Sequence, residues 1–401
     1  MNKHKLILIA GGAIIALCVV GFGISILLSK VFEDTVNGGS DNPQVIQGND
    51  VIPDVGEEIV DNEIVPEIES IVSILTGTGT SGFLDESLTA ATFTLPYSLT
   101  VDKSGRLVIF DTFNNAIRRV DGDKLNTLVG LWIAEDISRF SHGFHRDGIL
   151  GEALFNRPSD GVYNAEGTLF ICDSENHVIR IIRDGEVFTF AGSEQGFMDG
   201  TREVARFNTP TAIAIDDNGN LYITDTLNNA IRRIDRDGSV TTIADEIFRE
   251  PSGIAVSSDG RIIYVADTGN HRIVRIENGQ VTTLAGIPDG FDEDGDPIGG
   301  YHDGMAEEAM FNLPKGLSLA DDILFVADSG NNVIRAVNQN GRVLTAAGTG
   351  EPGDLDGDPL TAEFCQPTGV FWFDGILYIA DTTNNRIKKL LVDLNVFREN
   401  S

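Results

Sequence analysis

Hydrophobic and polar positions alternate in short runs along most of this chain. The stretch from Pro210 to Ala244 shows the pattern in full: PTAIAI, NLYITDT, NAIRRI and SVTTIA are separated by Asp-Asn-Gly, Leu-Asn-Asn and Arg-Asp-Gly. β-Branched and aromatic residues favour strands, and these polar clusters favour turns. The stretch therefore predicts four short antiparallel strands.

The phrase at the second turn, DTLNNAIRR, recurs along the chain. Its six copies begin at Asp111, Asp173, Asp225, Asp267, Asp328 and Asp381. A repeat of this length indicates units that cover one another's apolar faces, and four-stranded units do so when arranged radially. We therefore predict an all-β fold, a six-bladed β-propeller.

The outermost strand of the last blade has no local candidate. Five copies are followed by a strand-like segment such as SVTTIA, whereas the sixth is followed by LLVDLNVFRENS. The missing segment occurs before the first copy, as SIVSILTG from Ser70 to Gly77. We expect this N-terminal strand to close the last blade, which removes an open sheet edge.

The segment PSGIAV followed by GRIIYVADTGNHRI, Pro251 to Ile273, resembles the NHL repeat of six-bladed propellers. Linkers of the form DG…A-x-F-N-x-P recur at Asp147 to Pro158, Asp199 to Pro210 and Asp303 to Pro314, and are similar to those of bacterial and extracellular members. The resemblance covers residues 70–392. It implies a propeller that binds a partner or RNA or, in a minority of members, a metal-dependent lyase.

Local turn chemistry explains most of the repeated phrase. The Asp ends the second strand, and the Asn pair turns the chain because short polar side chains bond to nearby backbone and tolerate left-handed angles. His177 and His271 replace the second Asn and are predicted to be turn residues. The third strands carry a basic residue that we expect to pair with a repeat Asp or with carbonyls: Arg118, Arg180, Arg232, Arg335 and Lys388.

The first residues predict membrane attachment. Residues 1–5 include Lys3 and Lys5, and the uncharged run Leu6 to Leu28 is long enough to span a bilayer as a helix. A signal peptide is the alternative, but no A-x-A-like site follows the run. Residues 29–68 are acidic and are predicted to form an extended stalk, with a disordered leader as the alternative. The basic residues orient the helix so that a propeller over 69–401 lies on the extracytoplasmic side of the cell membrane.

The formal net charge of -32 limits the partners. Nucleic acids and anionic lipid surfaces require basic protein surface, so both are disfavoured as partners of the propeller. The three cysteines lie in the predicted membrane span and in two blades that are not neighbours, and no disulfide is expected.

The start of each innermost strand follows a recurring Pro and should lie at one mouth of the channel. These positions are Tyr97-Ser98, Ser159-Asp160, Thr211-Ala212, Ser252-Gly253, Lys315-Gly316 and Thr368-Gly369. We predict Tyr97, Asp160 and Lys315 as ligand-binding residues, with solvated channel lining as the alternative. No histidine occurs among these positions, and carboxylates are too few for a lactonase-like calcium site. A catalytic role is therefore not expected, and no cofactor is required.

Two linkers carry further candidates. Asp292, Asp294 and Asp296 alternate as in the first half of a calcium loop, although Pro297 stands where such a loop has Gly. Calcium is thus a possible ligand, with an ordinary acidic turn as the alternative. In Leu131 to Gly148, the aromatic residues Trp132 and Phe144 are predicted either to contact a partner or to pack on a blade edge.

These inferences combine into one functional hypothesis. The protein is predicted to be a single-pass surface protein whose non-catalytic propeller binds a protein or cell-envelope partner. The alternatives are a small-molecule receptor or a lyase- or lactonase-like enzyme acting at the channel mouth, and a structural spacer.

Overall fold

The computed structural model describes residues 6–10, 13–17, 70–131 and 143–398, the first two ranges as backbone only. Strands β1 (Leu6–Ala10) and β2 (Ala13–Leu17) pair with each other in antiparallel fashion. The rest of the predicted span Leu6 to Leu28 and the predicted stalk lie outside the described residues. Within the described ranges no helix has the length and apolar character needed to cross a membrane. The membrane helix and the stalk remain predictions.

The compact unit Pro66–Ser401 contains the propeller. Strand β3 (Val72–Thr76) comes first, before the first copy of the repeat. Blade 1 contains β4 (Ser98–Val101), β5 (Leu107–Asp111), β6 (Ala116–Asp121) and β7 (Lys124–Val129). Blade 2 contains β8 (Gly148–Ile149), β9 (Pro158–Tyr163), β10 (Leu169–Asp173), β11 (Val178–Arg183) and β12 (Glu186–Ala191). Blade 3 contains β13 (Gly200–Thr201), β14 (Pro210–Ile215), β15 (Leu221–Asp225), β16 (Ala230–Ile234) and β17 (Ser239–Ala244).

The second half of the ring repeats the arrangement. Blade 4 contains β18 (Gly253–Val256), β19 (Ile262–Asp267), β20 (Arg272–Glu277) and β21 (Gln280–Ala285), and the hairpin β22 (Gly290–Phe291) with β23 (Pro297–Ile298) follows it. Blade 5 contains β24 (Pro314–Ala320), β25 (Ile323–Asp328), β26 (Val333–Asn338) and β27 (Val343–Ala347). Blade 6 contains β28 (Gly369–Phe373), β29 (Ile376–Asp381) and β30 (Arg386–Leu391), and a short helix α1 (Asn395–Arg398) ends the described chain.

The ring closes as predicted. β3 pairs with β30 in antiparallel fashion, with Val72 opposite Leu390 and Ile74 opposite Lys388. Blade 6 is therefore built from both ends of the propeller sequence. The six-bladed all-β fold and the N-terminal closing strand are confirmed.

The core lies between neighbouring blades. Each long linker inserts an Ala and a Phe two residues later, and these side chains are fully buried against the next blade, as Ala205 and Phe207 show. The linker phrase A-x-F therefore fixes how one blade packs on the next, because burial of a phenylalanine side chain contributes about 2 kcal/mol. The other buried linker phenylalanines are Phe93, Phe155, Phe311 and Phe364.

Candidate functional site

The repeat Asp is a buried hydrogen-bonding centre in each blade. In blade 3, Asp225 accepts hydrogen bonds from the Asn208 backbone N–H at 2.7 Å and from Asn228 Nδ2 at 2.8 Å, and Arg232 Nη1 lies 2.6 Å from it. The predicted pairing with the third-strand cation is confirmed in four further blades: Arg118–Asp111 at 2.8 Å, Arg180–Asp173 at 2.7 Å, Arg335–Asp328 at 2.7 Å and Lys388–Asp381 at 3.8 Å. Burial raises the pKa of Asp225, since desolvation outweighs the neighbouring donors.

The second Asn position does more than turn the chain. All six residues there are left-handed, including His177 at φ 58° and His271 at φ 54°, which confirms the predicted turn role. Each also accepts a hydrogen bond from the backbone N–H of the residue preceding the recurring Pro of the next blade. Asn229 Oδ1 accepts from Glu250 at 2.8 Å, and His271 Nδ1 accepts from Leu313 at 3.0 Å. This link between blades was not predicted.

A second set of links uses the hydroxyl that follows each repeat Asp. It donates to the carbonyl oxygen of the recurring Pro in the next blade, as Thr226 does to Pro251 at 2.7 Å. The other pairs are Thr112–Pro158, Ser174–Pro210, Thr268–Pro314, Ser329–Pro367 and Thr382–Pro96. The sequence shows this position as a pattern, because every copy has Thr or Ser there. The hydrogen bond it forms could not be predicted, because the acceptor lies in the neighbouring blade.

A cavity of about 200 Å³ lies on the axis, lined by innermost strands of all six blades. Several of the hydroxyls predicted at its mouth bond to the wall itself. Ser159 Oγ lies 2.7 Å from Ser174 Oγ, and Ser252 Oγ lies 2.6 Å from Thr268 Oγ1. Thr368 donates to the Tyr97 carbonyl at 2.7 Å. These hydroxyls form hydrogen bonds between neighbouring strands, so most of the polar side chains at the channel mouth stabilise the propeller.

Asp160 holds three blades together at the cavity wall. Ser98 Oγ of blade 1 donates to Oδ1 at 2.7 Å, and the Ile213 N–H of blade 3 donates to Oδ2 at 3.0 Å. Among the described residues that line the cavity it is the sole carboxylate. Burial raises the pKa of Asp160 to about 6, because desolvation outweighs the hydrogen bonds that the carboxylate accepts.

Lys315 and Tyr97 meet at the mouth, although they come from blades 5 and 1. The Lys315 Nζ lies 5.4 Å from the centroid of the Tyr97 ring, a cation–π distance. Within residues 70–131 and 143–398, no carboxylate lies within 4.0 Å of this ammonium group. Tyr97 lines the same cavity as Asp160. The three predicted residues thus lie at one end of the channel.

The acidic hairpin is explained by local contacts. Asp292 Oδ1 accepts the backbone N–H of Asp294 at 2.9 Å and of Asp296 at 2.8 Å, which closes the turn. Both carboxylate oxygens of Asp296 bind the Arg249 guanidinium, at 2.5 and 2.7 Å. No group of three or more His, Cys, Asp or Glu is placed to hold a metal ion within the described part of the chain. Calcium binding here stays a prediction.

The aromatic linker is described only in part. Phe144 is half exposed, and its carbonyl accepts a hydrogen bond from Asn176 in the turn of blade 2 at 3.1 Å. This turn follows Asp173, and Asp173 pairs with Pro158, where the innermost strand of blade 2 begins. The innermost strands begin at the channel mouth. Phe144 therefore lies at the mouth end of its blade. Trp132 lies outside the described residues.

Comparison with known proteins agrees with the repeat and the fold. A family model described as the NHL repeat matches residues 248–276. The chain is 30% identical over 325 residues to Protein SUPPRESSOR OF QUENCHING 1, chloroplastic, of Arabidopsis thaliana, covering 73% of this chain and 30% of that protein. It is 30% identical over 155 residues to NHL repeat-containing protein 2 of Bos taurus, covering 32% of this chain and 21% of that protein. The chain thus spans under a third of the length of either relative.

A solved structure shares the architecture at low sequence identity. An auxiliary nutrient binding protein from Bacteroides ovatus aligns with a TM-score of 0.62 at 18% identity, covering 80% of this chain and 76% of that chain. At this identity the likeness concerns the fold alone. The match at residues 248–276 and the NHL repeat-containing relative confirm the predicted resemblance to NHL-repeat proteins, and the six blades confirm the propeller.

Proposed function

We propose that this protein is a non-catalytic binding propeller whose recognition point is the channel mouth. The observation that carries the proposal is Lys315, a partly exposed ammonium group beside the Tyr97 ring with no carboxylate in salt-bridge range among the described residues. The buried basic residues of the repeat are committed to repeat Asp side chains, whereas Lys315 is available to a ligand. A ligand or partner with an anionic group fits this arrangement.

The carboxyl group of Asp160 should make the binding of an anionic ligand depend on pH. Asp160 lines the same cavity as Tyr97 and has a raised pKa of about 6, so its protonated form can donate a hydrogen bond to a ligand oxygen. Binding of an anion should then weaken as the pH rises through about 6, because the ionised carboxylate repels it. The half-exposed Phe144 at the same end of blade 2 adds apolar contact for a larger partner.

A non-catalytic role is favoured over the lyase and lactonase alternatives by the composition of the wall. The cavity-lining residues within the described chain comprise one carboxylate and no histidine. Acid–base chemistry and zinc binding both rely on convergent groups of these types. We retain membrane anchoring through Leu6 to Leu28 as part of the proposal, on the basis of the apolar run. Partition of the full-length protein into carbonate-washed membranes would test it, and recovery in the wash would reject it.

Titration of the full-length protein with D-glucuronate, with neutral D-glucose as the matched ligand, tests the channel-mouth proposal. We expect calorimetry to detect glucuronate but not glucose, and Lys315→Met to weaken binding by about tenfold or more, since a charge-assisted hydrogen bond contributes about 1.5–3 kcal/mol. Lys103→Met, at an exposed turn, is the control variant. Equal affinity of the wild type and Lys315→Met would reject Lys315 as the recognition group.

A further inference from the structure

Five of the six blades have the backbone of their outermost strand covered by the linker that precedes them. In each case an Asp accepts a backbone N–H of that strand, and the next residue pairs with it in β fashion. We call this two-residue segment the edge cap. The caps are Asp85-Glu86, Asp147-Gly148, Asp199-Gly200, Asp303-Gly304 and Asp356-Gly357.

Blade 3 shows the geometry of a cap. Asp199 Oδ2 accepts the Thr242 N–H at 3.0 Å, and Asp199 Oδ1 accepts the Thr242 hydroxyl at 3.0 Å and Arg232 Nη2 at 2.7 Å. Gly200 pairs with Val240. Four of the five caps have Gly at the second position with φ between 135° and 157°, a region that favours glycine.

Blade 4 lacks an edge cap within the described residues. Its linker has only the six residues 245–250, between the end of β17 and Pro251. Val281 of β21 corresponds to Val240, since each lies opposite an Ile of the third strand. In the described chain no backbone group pairs with Val281 on its outer side, and no acceptor meets the Thr283 N–H.

The edge nevertheless retains the donors that a cap requires. Thr283 stands where blade 3 has Thr242, and Arg272 Nη1 lies 3.2 Å from Thr283 Oγ1. The Arg272 side chain is 28% exposed, so its guanidinium can meet an incoming carboxylate. An uncovered strand edge is a template for an added strand. Here the edge also has a cation and a hydroxyl at the position where the other blades place the Asp of the cap.

We infer that the outer edge of blade 4 binds an extended Asp-Gly segment of a partner protein by strand addition, in the manner in which the other blades bind their own linkers. The Asp carboxylate accepts hydrogen bonds from the Thr283 N–H and the Arg272 guanidinium. The residue after it pairs with the backbone of Val281. This surface is separate from the channel mouth, because β21 is the outermost strand of its blade.

The chain supplies its own probe for this edge. A fluorescently labelled peptide with the sequence from Phe197 to Arg206, FMDGTREVAR, is titrated with the full-length protein and followed by anisotropy. We expect saturable binding that falls about tenfold when the Asp of the peptide is replaced by Ala. We expect a smaller fall when its Gly is replaced by Val, which disfavours the φ found in four of the five caps, because the blade 1 cap has Glu86 at this position. These peptide variants leave the protein unchanged, so a folding defect cannot mimic the result.

A protein variant locates the site. Val281→Pro removes the edge N–H and should abolish peptide binding, whereas Val281→Ile keeps it and should bind as the wild type does. Binding that survives Val281→Pro in a protein with a native thermal transition would mean that the peptide displaces an existing cap, and would overturn the inference. A dimer in sedimentation that Val281→Pro dissociates would identify a second copy as the occupant, and would also overturn it. Absence of peptide binding to the wild type would have the same consequence.

Discussion

Blades 3 and 4 are neighbours and share the four principal strands, yet they stabilise their outer halves differently. Blade 3 holds Arg232 fully buried between Asp225 and Asp199, and a linker residue covers its edge. Blade 4 has Val274 at the position of Arg232. Its cation is Arg272, two residues earlier, which reaches Asp267 at 2.7 Å and the Ile247 carbonyl at 2.9 Å while remaining partly exposed.

The difference shows that the buried cation serves to stabilise the contact between a linker and its blade. Where the linker is long, the Asp of the cap and the repeat Asp share one cation, which is an arginine guanidinium in blades 1, 2, 3 and 5 and the Lys388 ammonium group in blade 6. Where the linker is short, the second carboxylate is absent, an aliphatic residue fills the interior, and the cation approaches from the side. A buried charge is tolerated only with enough partners, so cap and cation occur together.

The largest effect should come from removing the blade 3 cation. Arg232→Met leaves two carboxylates without their partner, and we expect a loss of about 3–5 kcal/mol in the free energy of unfolding. Arg272→Met should cost less, about 1–3 kcal/mol, because water can reach Asp267 in its place. Urea denaturation of both variants measures the difference. Equal losses in the free energy of unfolding would contradict the proposed difference between the two blades.

The link between the two blades is the next test. Thr226→Val removes the hydrogen bond to the buried Pro251 carbonyl, with an expected cost of about 1–3 kcal/mol, whereas Thr226→Ser retains the hydroxyl. Urea midpoints that are lowered to the same extent in both variants would show that the methyl group, not the hydroxyl, holds the blades together.

A reciprocal exchange tests the turn residue that differs between blades 3 and 4. Burial lowers the pKa of His271 below its ordinary value of 6.5, and its Nδ1 accepts a hydrogen bond only when the imidazole is neutral. The contribution of His271 to stability is therefore present above pH 6.5 and is lost as the pH falls through the lowered value.

His271→Asn should reduce the loss of stability on acidification, and Asn229→His should increase it. Thermal unfolding from about pH 7.5 to pH 5 measures both. Parallel stability curves for the two variants would contradict a role for imidazole protonation.

The smallest effect is expected in the hairpin that follows blade 4. The pair Arg249–Asp296 is about half exposed and screened by solvent, so Asp296→Asn should leave the free energy of unfolding close to that of the wild type. Repeating the thermal scan with added calcium tests the metal prediction for Asp292, Asp294 and Asp296. A calcium-dependent rise in the wild type that the variant lacks would establish a metal site.

Much of this architecture could be predicted from local pattern. The strands, the number of blades, the closing strand and the Asp–Arg pairs all follow from alternation, turn residues and the repeated phrase, because each depends on residues close together in one copy or on counting copies. Tyr97, Asp160 and Lys315 were placed at one mouth by the same reasoning. That Lys315 meets Tyr97 could not be predicted, since 218 positions separate residues 97 and 315 and the contact depends on the curvature of the ring.

The repeated Thr or Ser and the second Asn or His were visible as a pattern, and local chemistry explained the second Asn or His as a turn residue. Their links to the recurring Pro region of the next blade arise only when blades are packed side by side, because a hydrogen bond forms over about 3 Å and sequence spacing does not specify that distance. The uncapped edge of blade 4 is of the same kind. A short linker is evident in the sequence, but which strand it leaves uncovered, and with which donors, was decided by the packing of the ring.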